Sequence, residues 1–191
     1  MRPTSTEDFE ELLGPDPSAD DPIIEHYELW PEDLFDEDPL SISPITPGHD
    51  PRPGVADSDL SPEEVLERYW GYSTFRPLQR EIVQAALDGR DTLGLMPTGG
   101  GKSITFQVPG LILPGLTLVI TPLISLMKDQ VDHLRARGIR ATAIHSGMSQ
   151  EKVQTALDNC LFGKYKFLYV SPERVGSERF QAWLHALTVS L

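Results

Sequence analysis

Residues 96–103 read MPTGGGKS. Three consecutive glycines, then a lysine and a serine, decide how the surrounding chain is read. Glycine adopts positive φ without steric penalty and leaves its backbone N–H bare. A run of such amides at the start of a helix makes a concave anion site, backed by the positive end of the helix dipole. Lys102 can then reach outer phosphate oxygens. At ~4 Å and an effective dielectric near 20 such a charge pair contributes about 4 kcal/mol before desolvation. Ser103 offers a hydroxyl to Mg²⁺. Met96 stands where the strict pattern G-x-x-x-x-G-K-[ST] has its first glycine, but the mechanism rests on Gly99, Gly100, Gly101 and Lys102. The competing reading is a glycine-rich turn with a solvated lysine.

A phosphate loop needs a strand before it and a helix after it, and the flanking sequence supplies that context. Residues 92–96 are expected to form a short strand, and a helix is expected from about Lys102. Downstream, strands are expected at 117–121 (TLVIT), 140–144 and 166–170 (KFLYV). They alternate with helices at 123–137, 150–161 and 178–187, whose apolar residues recur at helical spacing. Strand–helix alternation of this length implies right-handed crossovers and a parallel sheet covered on both faces. Upstream, Ser61, Pro62 and Glu64 form a helix start with a capping box. A second helix is expected from near Pro77 until Gly89 stops it. The fold class expected is therefore α/β, a parallel-sheet P-loop domain over residues 61–191.

Composition separates the first sixty residues from the rest. The net charge of the 191 residues is −13. Residues 1–60 carry 17 Asp+Glu against 2 Lys+Arg and 10 of the 17 prolines, whereas residues 61–191 come to +2. A segment so charged and proline-rich buries too little apolar surface to offset chain entropy, so 1–60 is expected to be an acidic disordered leader. Within it, residues 23–35 (IIEHYELWPEDLF) mix aromatics with carboxylates and could fold onto a protein partner. A solvated tail is the alternative. The longest apolar run, residues 111–120, is ten residues long and broken by Pro114 and Gly115. A membrane-spanning helix needs about 20, so no membrane partner is expected. Cys160, the single cysteine, excludes an internal disulfide framework and fits a reducing compartment. It reads as a small buried residue.

Four segments together carry a resemblance. GYSTFRPLQ (71–79), MPTGGGKS (96–103), TPLISLMKDQV (121–131) and SPERV (171–175) closely resemble the RecQ family of superfamily 2 DNA helicases, in order and at family-like spacing. That family carries Met-Pro-Thr in its own phosphate loop, so Met96 is in pattern. The resemblance implies a RecA-like ATP-binding domain, ATP and Mg²⁺ as cofactors, and 3′ to 5′ unwinding of DNA in repair or recombination. It places the adenine base between Tyr72 and Arg76, with Gln79 bonding its edge. Thr98 to Ser103 then hold the phosphates, with Lys102 as the catalytic lysine and Ser103 as the metal ligand. A ring and a planar guanidinium can sandwich a base, and a side-chain amide matches adenine's donor and acceptor. Read alone, Tyr72 and Arg76 would be linker residues and Gln79 a solvated helix position.

The resemblance also implies contacts to single-stranded or duplex-junction DNA from Thr121, Ser125, Lys128, Ser171 and Arg174. Hydroxyls, amides and charge of this kind suit phosphate contacts that position without reading sequence. Lys128, Asp129 and Arg174 could equally be a solvated helix face or an internal ion pair. His145 reads as a strand-end residue.

In that family the next motif is an Asp-Glu-Ala-His box on the following strand, and the chain closes at TVSL, where that strand would begin. The domain is therefore expected to be incomplete at its C-terminus and, by itself, without appreciable ATPase or unwinding activity. A non-hydrolysing nucleotide- or DNA-binding regulator is the alternative function. A small P-loop kinase is disfavoured, because it has no need of the TPLISLMKDQ and SPER segments. The expected location is cytoplasmic and nucleoid-associated, or nuclear in a eukaryote.

Overall fold

The computed structural model describes residues 57–97, 99–162 and 165–191. The leader up to residue 56, including residues 23–35, and Thr98 lie outside the described residues. The chain enters through a single 3₁₀ turn at Asp57–Asp59 and then helix α1 (Pro62–Trp70). The Ser61 hydroxyl accepts the Glu64 N–H, and the Glu64 carboxylate accepts the Ser61 N–H at 2.8 Å, so the capping box forms as expected. Gly71 closes the helix at φ 73°.

Helix α2 (Gln79–Leu87) and helix α3 (Lys102–Ile112) flank the glycine loop. The chain then alternates through β1 (Thr117–Ile120), α4 (Ile124–Arg135), β2 (Ala141–Ile144), α5 (Gln150–Leu161) and β3 (Phe167–Val170). A one-turn helix α6 (Pro172–Val175) and helix α7 (Glu178–Ala186) follow. Helix α6 had no periodic signal in the sequence.

The strands form a parallel sheet in the order β1-β3-β2, with Thr117 and Ala141 both in register with Phe167. Alternate side chains of β3 serve opposite faces. Phe167 and Tyr169 pack with Val65, Val83, Val108, Met127 and Val131 from α1–α4. Leu168 and Val170 pack with Val153, Leu157, Phe180 and Trp183 from α5 and α7. The result is the three-layer α/β arrangement expected of a RecA-like domain. Helix α3 lies so close to the sheet that a Cβ on Gly110 would fall 2.5 Å from the Thr117 hydroxyl and 2.9 Å from the Phe167 ring. Only glycine permits that approach.

One expected element is absent. Residues 92–96 form no strand, and Leu93 and Leu95 are 86 % and 80 % exposed. A strand exists through its neighbour, and among the described residues none pairs with this segment. The free edge of β1 is taken instead by the C-terminal residues. The Leu116 N–H donates to the Thr188 carbonyl at 2.9 Å, and the Leu118 N–H to the Leu191 carbonyl at 2.8 Å. Leu116 and Val189 form an isolated parallel bridge on that edge.

Candidate functional site

The glycine loop leads directly into α3, so its amides gather at the positive end of that helix. Gly99 and Gly101 have φ of 77° and 76°, values that glycine alone adopts without strain. The Gly100 N–H donates to the Pro97 carbonyl at 3.0 Å, which pulls the loop into a tight turn. The exposed Lys102 ammonium folds back onto that turn, donating to the carbonyls of Met96 at 3.1 Å and Pro97 at 3.0 Å. The acceptors are neutral carbonyls, whereas a phosphate oxygen would add the attraction of opposite charges.

The segment 72–79 is stitched to the loop from the other side. Arg76 donates from its guanidinium to the Gly99 carbonyl at 2.9 Å. Gln79, though polar, is 2 % exposed. Its Nε2 donates to the carbonyls of Gly101 at 3.0 Å and Gly100 at 3.3 Å, and its Oε1 accepts the Arg76 N–H at 2.8 Å. Buried amides are satisfied in this way or are costly. A second lone pair on Oε1 remains available for a ligand donor. Tyr72, Thr74, Arg76, Gln79, Gly99 and Gly101 line one cavity of about 230 Å³. The structure thus brings together Tyr72, Arg76, Gln79 and the glycines. A wider groove of about 480 Å³ runs past Lys102, Thr105 and Phe106 to Met96, Thr92 and Leu191.

Ser103 follows Lys102 in the first turn of α3 and is half-buried. Among the described residues no group of three or more His, Cys, Asp or Glu side chains converges as a metal cage. A Mg²⁺ ion there would depend on the Ser103 hydroxyl, phosphate oxygens and water. That is the usual way Mg²⁺ is held beside a nucleotide.

The second group of expected residues lies along the C-terminal edge of the sheet. Because the strands are parallel, Thr121 after β1, His145 after β2 and Ser171 after β3 share that edge, where α/β ligand sites form. The Thr121 N–H donates to Val170 at 3.1 Å, and the Ser171 N–H to Ile144 at 3.1 Å. Ser171 is buried, and its hydroxyl has no hydrogen-bond partner among the described residues. Ser125 is exposed in the first turn of α4, and Lys128 pairs with Asp132 at 3.6 Å along the same helix. Such an exposed i,i+4 pair contributes only about 0.3–0.5 kcal/mol, so Lys128 is readily released.

Arg174 is bound differently from the rest. Its guanidinium donates to the carbonyls of His145, Ser146 and Met148, at 3.2–3.4 Å. It braces the loop after β2, so a phosphate contact would have to share a group already engaged. His145 is buried beside it, and its Nδ1 accepts the Gly147 N–H at 3.3 Å. Burial, and then the Arg174 charge, hold its pKa below the usual 6.5. Cys160 is buried and its thiol is pushed up to about 12 by burial, which makes it inert.

Sequence reasoning missed the contacts Arg76 and Gln79 make to the loop carbonyls. The only available signal was their nearness to the glycines through the FRPLQ segment. It also missed the part-buried pair Gln107–Gln130, 2.9 Å apart, with the Tyr169 hydroxyl 3.3 Å from the Gln107 amide.

Comparison with known proteins identifies the family. The DEAD/DEAH box helicase model matches residues 76–188, more than half of the chain. An ATP-dependent DNA helicase RecQ from Haemophilus influenzae is 50% identical over 116 residues, 61% of this chain and 19% of that protein. A probable ATP-dependent DNA helicase RecS from Bacillus subtilis is 40% identical over 130 residues, 68% of this chain and 26% of that protein. An ATP-dependent DNA helicase RecQ from Pasteurella multocida is 48% identical over 117 residues, 61% of this chain and 18% of that protein. The chain therefore spans about a quarter or less of the length of these relatives. Among the described residues no helix is long and apolar enough to cross a membrane. With the glycine loop, the parallel sheet and this match in one stretch of sequence, the chain belongs to the DEAD/DEAH box helicase family.

Proposed function

We propose that this chain is the nucleotide-binding portion of a RecQ-type ATP-dependent DNA helicase acting in repair or recombination. One observation carries the reading: the side chains of Arg76 and Gln79 hold the carbonyls of Gly99, Gly100 and Gly101, so a base pocket and a phosphate loop form one unit.

In this reading Tyr72 and Arg76 flank the adenine, and Gln79 offers its remaining lone pair to the base edge. Arg76 then exchanges its bond to Gly99 for a stacking contact. The bare amides of Gly99, Gly100 and Gly101, with Thr98 beside them, receive the phosphates. Lys102 leaves the carbonyls of Met96 and Pro97 for phosphoryl oxygens and stabilises the charge that develops there. Ser103 contributes its hydroxyl to Mg²⁺, which when bound neutralises phosphate charge.

Single-stranded or junction DNA runs along the C-terminal edge of the sheet. Thr121, Ser125, Lys128 and Ser171 contact its phosphates, and Arg174 supports that path through the loop it braces. The acidic segment 23–35 recruits a protein partner. The protein works at DNA, in the nucleoid of a bacterium or the nucleus of a eukaryote. By themselves, residues 61–191 hold nucleotide without appreciable turnover.

Titrating this chain with ATP, and separately with single-stranded DNA at several salt concentrations, tests the proposal. Saturable ATP binding is expected, with DNA affinity that falls linearly in log–log form as salt rises. Absence of ATP binding, or DNA binding indifferent to salt, would contradict it.

A further inference from the structure

Leu78 separates the two residues that grip the glycine loop, and its backbone is unusual. Its φ is 70° and its ψ is −22°, and among the described residues it is the sole non-glycine with positive φ. The Gln79 N–H donates to the Arg76 carbonyl at 3.1 Å, closing a four-residue turn over Arg76, Pro77, Leu78 and Gln79. Those angles at the third position are those of a type II turn, where glycine or asparagine is normally required. Pro77 suits the second position, but leucine at the third is strained.

Packing does not explain the leucine, because its side chain is 54 % exposed. The conformation is held from both sides instead. The Arg76 N–H donates back to the Gln79 Oε1 at 2.8 Å. The guanidinium of Arg76 then reaches Gly99, and the Gln79 Nε2 reaches Gly100 and Gly101. Both side chains stand on one wall of the 230 Å³ cavity. Were Leu78 to relax to negative φ, the peptide between Pro77 and Leu78 would turn over, and Gln79 would enter α2 in a different direction. The two side chains could not then both meet the loop. Strained residues of this kind persist where the surroundings over-determine them, and they concentrate at ligand sites.

We infer that Leu78 is a positioning residue for base recognition: through its left-handed backbone, not its side chain, it aims the Arg76 guanidinium and the Gln79 amide together at the nucleotide. The inference rests on the proposed reading of Arg76 and Gln79 as base-site residues.

The test compares four variants of the full chain: Leu78→Gly and Leu78→Asn, which accept positive φ, and Leu78→Val and Leu78→Ile, which resist it. Dissociation constants are measured by calorimetry for ATP, GTP and inorganic triphosphate. The Gly and Asn variants should keep the wild-type preference for ATP over GTP. The Val and Ile variants should lose about tenfold of that preference, with inorganic triphosphate bound to within about twofold of wild type. A role for the apolar side chain reverses the order, with Val and Ile harmless and Gly and Asn damaging, and that result overturns the inference. So does an equal preference in all four variants, or its loss in Gly and Asn if Val and Ile fail to fold. If the wild type binds triphosphate yet shows no preference for ATP, the base-site reading itself fails, and this inference with it.

Discussion

The Gln79 Nε2 lies 3.0 Å from the Gly101 carbonyl, and a Cβ on Gly101 would fall 2.3 Å from that same nitrogen. One amide therefore holds the loop and occupies the space that a side chain at Gly101 would need. Gly101 also has φ of 76°, so two separate constraints meet at one residue.

Gly101→Ala is expected to be costly on both counts. The left-handed conformation alone costs about 1–2 kcal/mol for a residue with a Cβ, and displacing the buried Gln79 amide leaves its polar atoms unsatisfied at about 1–3 kcal/mol. Urea unfolding should show a loss of that combined size, and ATP affinity should fall with it. Stability and affinity within error of wild type would show that Gln79 and Gly101 are not in contact.

Arg174→Ala removes three bonds that hold the loop after β2. The expected loss is about 1–3 kcal/mol by denaturant midpoint, because half-buried carbonyls lose their donor. Arg174→Lys should recover little of it, since an ammonium cannot reproduce the planar fork. Full recovery by lysine would mean that charge, and not the guanidinium's shape, matters there.

His145 gives the fold a pH dependence of definite sign. Burial and the Arg174 charge hold the folded-state pKa below 6.5. Between that lowered value and 6.5 the unfolded chain binds more protons than the folded one, so stability falls as pH drops through the window. Above about 6.5 the contribution is flat. Thermal unfolding at pH 7.5 and 5.5 should show a smaller acid loss in His145→Gln than in wild type. Equal losses in the two proteins would assign the effect to other groups.

What was legible in the sequence was local or periodic. The Ser61–Glu64 capping box needs only four residues, and it formed as read. Gly89 stops its helix with φ of 70°. The three paired strands follow from apolar runs that both faces of a parallel sheet bury. What was not legible depends on partners distant in the chain. The 92–96 segment has the composition of a strand but no neighbour to pair with among the described residues. Arg174 meets carbonyls 26 to 29 residues upstream, which no motif discloses. Leu78 carries none of the glycine or asparagine signal that a left-handed turn normally gives. At the candidate site the glycines and Lys102 were evident from their own chemistry. Tyr72, Arg76 and Gln79 needed the family resemblance, and their union with the loop needed the structure.

The central claim is that the amides of three successive glycines and the Lys102 ammonium grip the triphosphate. Calorimetric titration of ATP into wild type and Lys102→Ala tests it most directly. Removing the ammonium deletes a charge-assisted contact, so affinity should fall by about tenfold or more, while the unfolding midpoint stays near that of wild type because Lys102 is exposed. Unchanged ATP affinity in a folded Lys102→Ala chain would contradict the account.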